Sequence, residues 1–222
     1  MSMFSEDVLQ YYHQLDGPTN LPLDVGILNP YLDQTAFILC QEFYHKYYND
    51  NFSRSLLFGI NPGRFGAGLT GIPFTDPKTL TDYCGIKNDL PARGELSSTF
   101  IYEMINAFGG VELFYQQYFI SAISPLGYVR NGVNLNYYDF PNYRTIFEPY
   151  VVQEIRSQLQ FNIDPSIGYC IGKGTNFDFF KYLNDKYQFF KNIKALPHPR
   201  WVMQYKLKKK QVYIDQYLNT LK

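Results

Sequence analysis

Cysteine is scarce in this chain: Cys40, Cys84 and Cys170 are far apart among 222 residues, odd in number and without Cys-x-x-Cys spacing. That argues against a disulfide framework and against a cysteine-built metal site, so no metal and no cofactor is implied. Histidine is equally rare, with three residues, of which His13 and His45 sit inside helical patterns of ordinary composition. Neither sign of charge predominates, because 20 Lys and Arg balance 20 Asp and Glu. A strongly basic scaffold is thereby argued against, whereas a local basic face is not. No apolar run reaches the length of a membrane span, and the stretch Met1 to Asp7 has no basic region followed by an apolar core. The expectation is a soluble, intracellular, cytoplasmic protein that needs no membrane, nucleoid-associated if the source is bacterial.

What the chain has in quantity is apolar and aromatic side chains, 45% hydrophobic with 21 Tyr and 19 Phe, enough to bury a full core. Residues 1–222 are read as one domain, with residues 1–50 as a helical decoration. Apolar residues at helical spacing predict helices over Phe4 to Leu15, Gln34 to Tyr48, Lys78 to Tyr83 and Ile146 to Leu159. Another helix is expected to begin at Ser97 or Ser98, either of which can cap it, and to stop at Gly109-Gly110. A further one begins at Asn176. Short apolar runs at Ser55 to Phe58, Tyr118 to Ser124, Ile167 to Ile171 and Ile193 to Leu196 read as strands, with a long loop over Gly127 to Tyr143. Strands alternating with helices predict a three-layer α/β/α sandwich around a mainly parallel four-stranded sheet.

The first of those strands runs into Gly59-Ile60-Asn61-Pro62-Gly63-Arg64-Phe65-Gly66, closed by Thr70-Gly71-Ile72-Pro73-Phe74. The glycines permit close approach of the main chain to a ligand, and Pro62 and Pro73 stiffen the path. Asn61 is thereby delivered at a strand's carboxyl end, where open α/β sheets bind their ligands. An Asn-Pro-Gly turn alone is ordinary turn chemistry. Over its whole length, however, the pattern resembles the first active-site motif of the single-strand-selective monofunctional uracil-DNA glycosylases, within the uracil-DNA glycosylase superfamily. The resemblance implies a uracil-DNA glycosylase-like fold in which Asn61 positions the attacking water and Phe74 stacks on the extruded base. It also places Ile60, Gly63 and Phe65 around that base.

A second match follows the last strand, at Pro197-His198-Pro199-Arg200-Trp201. There the resemblance implies that His198 donates a hydrogen bond to the base and that the residues after it form a loop entering the duplex. Arg200 and Trp201 are the candidates for DNA contact, and Lys208, Lys209 and Lys210 just beyond supply a basic face for phosphates. Two departures stand out. The chain passes directly from His198-Pro199 to Arg200-Trp201 where the family usually carries Ser-Pro-Arg, so the wedge is shorter or differently built. Ala122 stands where the family has an Asn that reads the base's Watson-Crick edge. Asn134, in Gly132 to Leu135, fits the family pattern for the base pocket, and Asn131 or Ser121 could equally supply the lost polar contacts.

The function these matches imply is a monofunctional DNA glycosylase of base excision repair, acting as a monomer on single- or double-stranded DNA that carries uracil, xanthine or hypoxanthine. Two other classes use the same residues: a noncatalytic binder of damaged or single-stranded DNA, and a hydrolase of free nucleosides. Gly172-Lys173-Gly174-Thr175 lacks phosphate-loop spacing and reads as a tight turn before a helix.

Overall fold

The computed structural model describes residues 2–91 and 93–221. Its first third contains α1 (Phe4–His13), β1 (Gly26–Leu28), α2 (Gln34–Tyr47), β2 (Arg54–Gly59), α3 (Ala67–Thr70) and α4 (Pro77–Cys84). The middle contains α5 (Leu96–Phe108), α6 (Val111–Gln117), β3 (Tyr118–Ala122), β4 (Gly127–Arg130), β5 (Val133–Leu135) and α7 (Tyr143–Gln158). The remainder is β6 (Ile163–Ile171), α8 (Thr175–Tyr187), β7 (Asn192–Leu196), α9 (Pro199–Tyr205) and α10 (Lys210–Leu221).

The four apolar runs expected to be strands form one parallel sheet in the order β3-β2-β6-β7, flanked by helices. Continuous rather than alternating hydrophobicity is what a strand covered on both faces requires. Leu56, Leu57 and Phe58 of β2 are accordingly fully buried. β2 pairs with β3 so that Phe58 lies beside Ser121 and Gly59 beside Ala122. β3 ends at Ala122, two residues earlier than expected, because the next amides are redirected. Ile123 N donates to Gly59 O at 3.0 Å and Ser124 N to Ile60 O at 3.1 Å, which ties the end of β3 to the loop that follows β2.

The expected loop over Gly127 to Tyr143 is instead partly a hairpin. β4 and β5 turn at Asn131-Gly132, both left-handed (φ 50° and 73°), the backbone an Asn-Gly hairpin turn needs. β1 adds to the other edge of β4, giving a second, antiparallel sheet in the order β1-β4-β5. Residues 1–50 therefore contribute a strand as well as helices.

Helix starts follow their capping residues. Asp33 accepts from Ala36 N at 2.9 Å to open α2, and Asp76 accepts from Thr79 N at 2.8 Å to open α4 behind Pro77 at the first position. Helix α5 begins at Leu96, so Ser97 and Ser98 lie inside its first turn and Glu95 holds the cap position. The residues after His198, expected as a loop, form α9, for which Pro199 supplies the preset first φ.

Candidate active site

The loop after β2 is shaped by what its glycines leave out. A Cβ on Gly59 would sit 2.8 Å from Phe74 Cε2, so only glycine lets that ring close down on the end of the strand. Phe74 holds a left-handed backbone (φ 53°), uncommon for a bulky residue and a form of strain that persists where the surroundings dictate it. A Cβ on Gly127 would lie 2.6 Å from Pro62 O, so the hairpin and the Asn61 loop pack backbone against backbone.

The carboxamide of Asn61 is fixed at both ends. Its Nδ2 donates to Leu135 O at 3.1 Å and to Pro62 O at 3.3 Å, while Oδ1 accepts from Tyr137 N at 3.0 Å. The amide nitrogen is thus spent on carbonyls, and one lone pair of Oδ1 remains for another donor. Tyr137 is itself anchored: it is fully buried, and its hydroxyl donates to Asn176 Oδ1 at 2.7 Å. Asn176 Nδ2 closes the network on Gly59 O at 3.5 Å. The network joins β2, the segment after β5, and α8 behind one side chain.

His198 caps α9. Its Nδ1 accepts from Arg200 N at 3.2 Å, which in the neutral ring leaves the proton on Nε2. Burial, and then the nearby Arg200 guanidinium, lower its pKa from 6.5 to about 4, so the imidazole is neutral at pH 7. Its ring meets that of Phe74 with centroids 6.2 Å apart and planes tilted by 51°.

These groups surround a cleft of about 580 Å³ at the carboxyl ends of the parallel strands. Asn61, His198, Ile60, Gly63, Phe65, Phe74, Asn134, Arg200 and Trp201 all line it. Ala122 and Ser121 lie in its wall, and the buried Ser121 Oγ has no hydrogen-bond partner among the described residues. Asn131, an alternative to Asn134 in the sequence reading, belongs to the hairpin turn and does not line the cleft. Lys208, Lys209 and Lys210 do not line it either: Lys208 and Lys209 are exposed, and Lys210 Nζ pairs with Glu103 Oε2 at 2.5 Å.

Several cleft residues carried no sequence signal. Tyr12 and Tyr31, from the segment expected only to decorate the fold, stack face to face (4.1 Å, 8°) and line the cleft. Arg93, whose guanidinium lies 4.2 Å from the centre of the Phe65 ring, and Glu95 line it as well. Only tertiary contact brings them there.

The uracil DNA glycosylase superfamily model matches residues 45–222. The structure is also similar to the crystal structure of wild-type Pedobacter heparinus SMUG2, with a TM-score of 0.96 and 46% sequence identity over 99% of this chain and 97% of that one. A search of curated proteins gave no match. More than half of the chain matches the family model and the whole fold matches a solved relative, so the chain belongs to the uracil DNA glycosylase superfamily and is a DNA N-glycosylase.

Proposed function

We propose that the protein is a monofunctional glycosylase of base excision repair that releases uracil, and other deaminated bases such as xanthine and hypoxanthine, from DNA as a monomer. The observation that carries this reading is the convergence of Phe74 and His198 on the cleft that Asn61 also lines. A base stacked in a duplex is out of reach, so the target is extruded into the cleft, and damaged or mispaired bases resist this least. Phe74 is the stacking wall.

As the C1′–N bond breaks, its electron pair leaves with the base, and positive charge grows on the sugar. A donor fixed at the base oxygen is stronger in that transition state than in the ground state. His198 is such a donor, because its Nδ1 is occupied and its neutral Nε2–H has no acceptor among the described residues. The remaining lone pair of Asn61 Oδ1 accepts a hydrogen bond from the attacking water and turns the water oxygen toward C1′, where the new C1′–O bond forms. The water's proton passes to solvent, and the base anion is reprotonated there. Lys173 also lines the cleft. A monofunctional reaction uses no amine nucleophile, so borohydride should trap no covalent adduct with DNA.

Ala122 offers no polar group to the base edge, which favours a wider base range, since strong rejection needs buried polar groups that a wrong base leaves unpaired. The test is base release from oligonucleotides, single- and double-stranded, that carry uracil, xanthine or hypoxanthine. Release from at least one of them, leaving an abasic site, is expected. Intact oligonucleotides throughout would refute the reading, and tight lesion binding without product would favour the noncatalytic binder that Ala122 also permits.

A further inference from the structure

Glu95 takes no part in the reaction described above, although its carboxylate is held in the same cleft. Its backbone amide donates to Asp76 Oδ2 at 2.7 Å, and Asp76 is fully buried as the cap of α4, so the start of α5 is pinned in place. The side chain makes no capping bond to the helix it precedes. It turns toward the Asn61 loop instead. A Cβ on Gly66 would sit 2.3 Å from Glu95 Oε2, so the glycine there makes the room the carboxylate occupies, and Gly63 lies at ordinary contact distance from Oε1. It is half-buried, and burial pushes its carboxyl up, against the pull of the nearby Arg200 guanidinium, with Asp76 pushing the same way as burial.

The Glu95 carboxylate has no hydrogen bond among the described residues, and a half-buried carboxylate so placed is costly to keep. It is useful where positive charge develops opposite it. The residue that orients the water here is Asn61, which carries no charge to set against the sugar. Resting on the glycosylase reading above, we propose that the Glu95 carboxylate is the counter-charge to the deoxyribose, stabilising the positive C1′–O4′ centre that forms as the base departs. No bond is made to Glu95 and no proton moves to it; its contribution is electrostatic preorganisation in a partly water-excluded site.

The test uses two DNA duplexes, one with a neutral tetrahydrofuran abasic analogue and one with a pyrrolidine analogue that is cationic at neutral pH. The wild-type protein should bind the pyrrolidine duplex about tenfold or more tightly than the tetrahydrofuran duplex, the scale of one charge pair across several ångströms of partly buried site. Glu95→Gln should lose most of that preference, bind tetrahydrofuran DNA no more weakly than wild type, and release uracil correspondingly more slowly in single turnover. Glu95→Asp, which keeps the charge one methylene further away, should retain part of the preference. A purely structural role would leave the ratio between the two analogues unmoved.

Full preference in Glu95→Gln, or base release at the wild-type rate, overturns the counter-charge alone. Wild-type protein that binds neither duplex and releases no base overturns the glycosylase reading with it.

Discussion

Acidification should weaken the fold through His198 by a calculable amount. The unfolded chain protonates this imidazole at about 6.5, whereas the folded chain does so only at about 4, because the ring is buried beside Arg200 and its Nδ1 already accepts from Arg200 N. Below the unfolded value the unfolded state binds more protons. Stability is therefore full above about pH 6.5 and is lost progressively as the pH falls toward 4. At about 1.4 kcal/mol per pH unit the gap amounts to at most about 3.5 kcal/mol. Protonating Nδ1 also breaks the cap of α9. The assay is denaturant unfolding of wild type and His198→Gln at several pH values between 4 and 8, since the carboxylates titrate alike in both proteins and cancel in the difference. Wild type should lose stability relative to the variant as the pH falls. Parallel curves would show that His198 is not held neutral by the fold, and the donor role assigned to its Nε2–H would lose its basis.

Gly59→Ala places a methyl 2.8 Å from Phe74, and the displaced ring should slow base release by at least about tenfold at a stability cost of about 1–3 kcal/mol, read by single-turnover kinetics and denaturant unfolding. Tyr137→Phe leaves Asn176 Oδ1 without its donor and should lower stability by about 1–3 kcal/mol, with kcat falling more than KM rises. Glu154, buried beside Tyr11, has its pKa raised to about 7, chiefly by burial, so the stability its protonated form lends is lost as the pH rises from about 4.5 to 7. Glu154→Gln should accordingly be more stable than wild type at pH 8, by up to about 3.5 kcal/mol. Exposed Lys208 and Lys209 should contribute to DNA affinity through phosphates, so replacing both with Ala should make the salt dependence of binding shallower by a log-log slope of about 2.

The parallel sheet was legible because each strand is a short apolar run ended by Gly or Pro, the pattern a strand buried on both faces produces. The Asn61 loop and His198 were legible as motifs. The second sheet was harder to see, since its strands are three or four residues long and Val133 and Asn134 are exposed. The Asn131-Gly132 turn was the available signal. Helix α9 was hidden because prolines flanking His198 read as turn residues, although Pro199 is equally suited to a helix's first position. Glu95, Arg93, Tyr12 and Tyr31 enter the cleft only through folding, and no local pattern marks them.

The central claim is that Asn61, through the attacking water, and His198, through the departing base, act on one extruded nucleotide in the cleft that both line. A double-mutant cycle on single-turnover uracil release, with lesion binding measured alongside, tests it most directly. Each of Asn61→Ala and His198→Ala should slow release by about 10² to 10³ while lesion DNA is still bound, and the double variant should fall short of the product of the two losses because both groups serve one transition state. Undiminished release from either single variant would contradict the account.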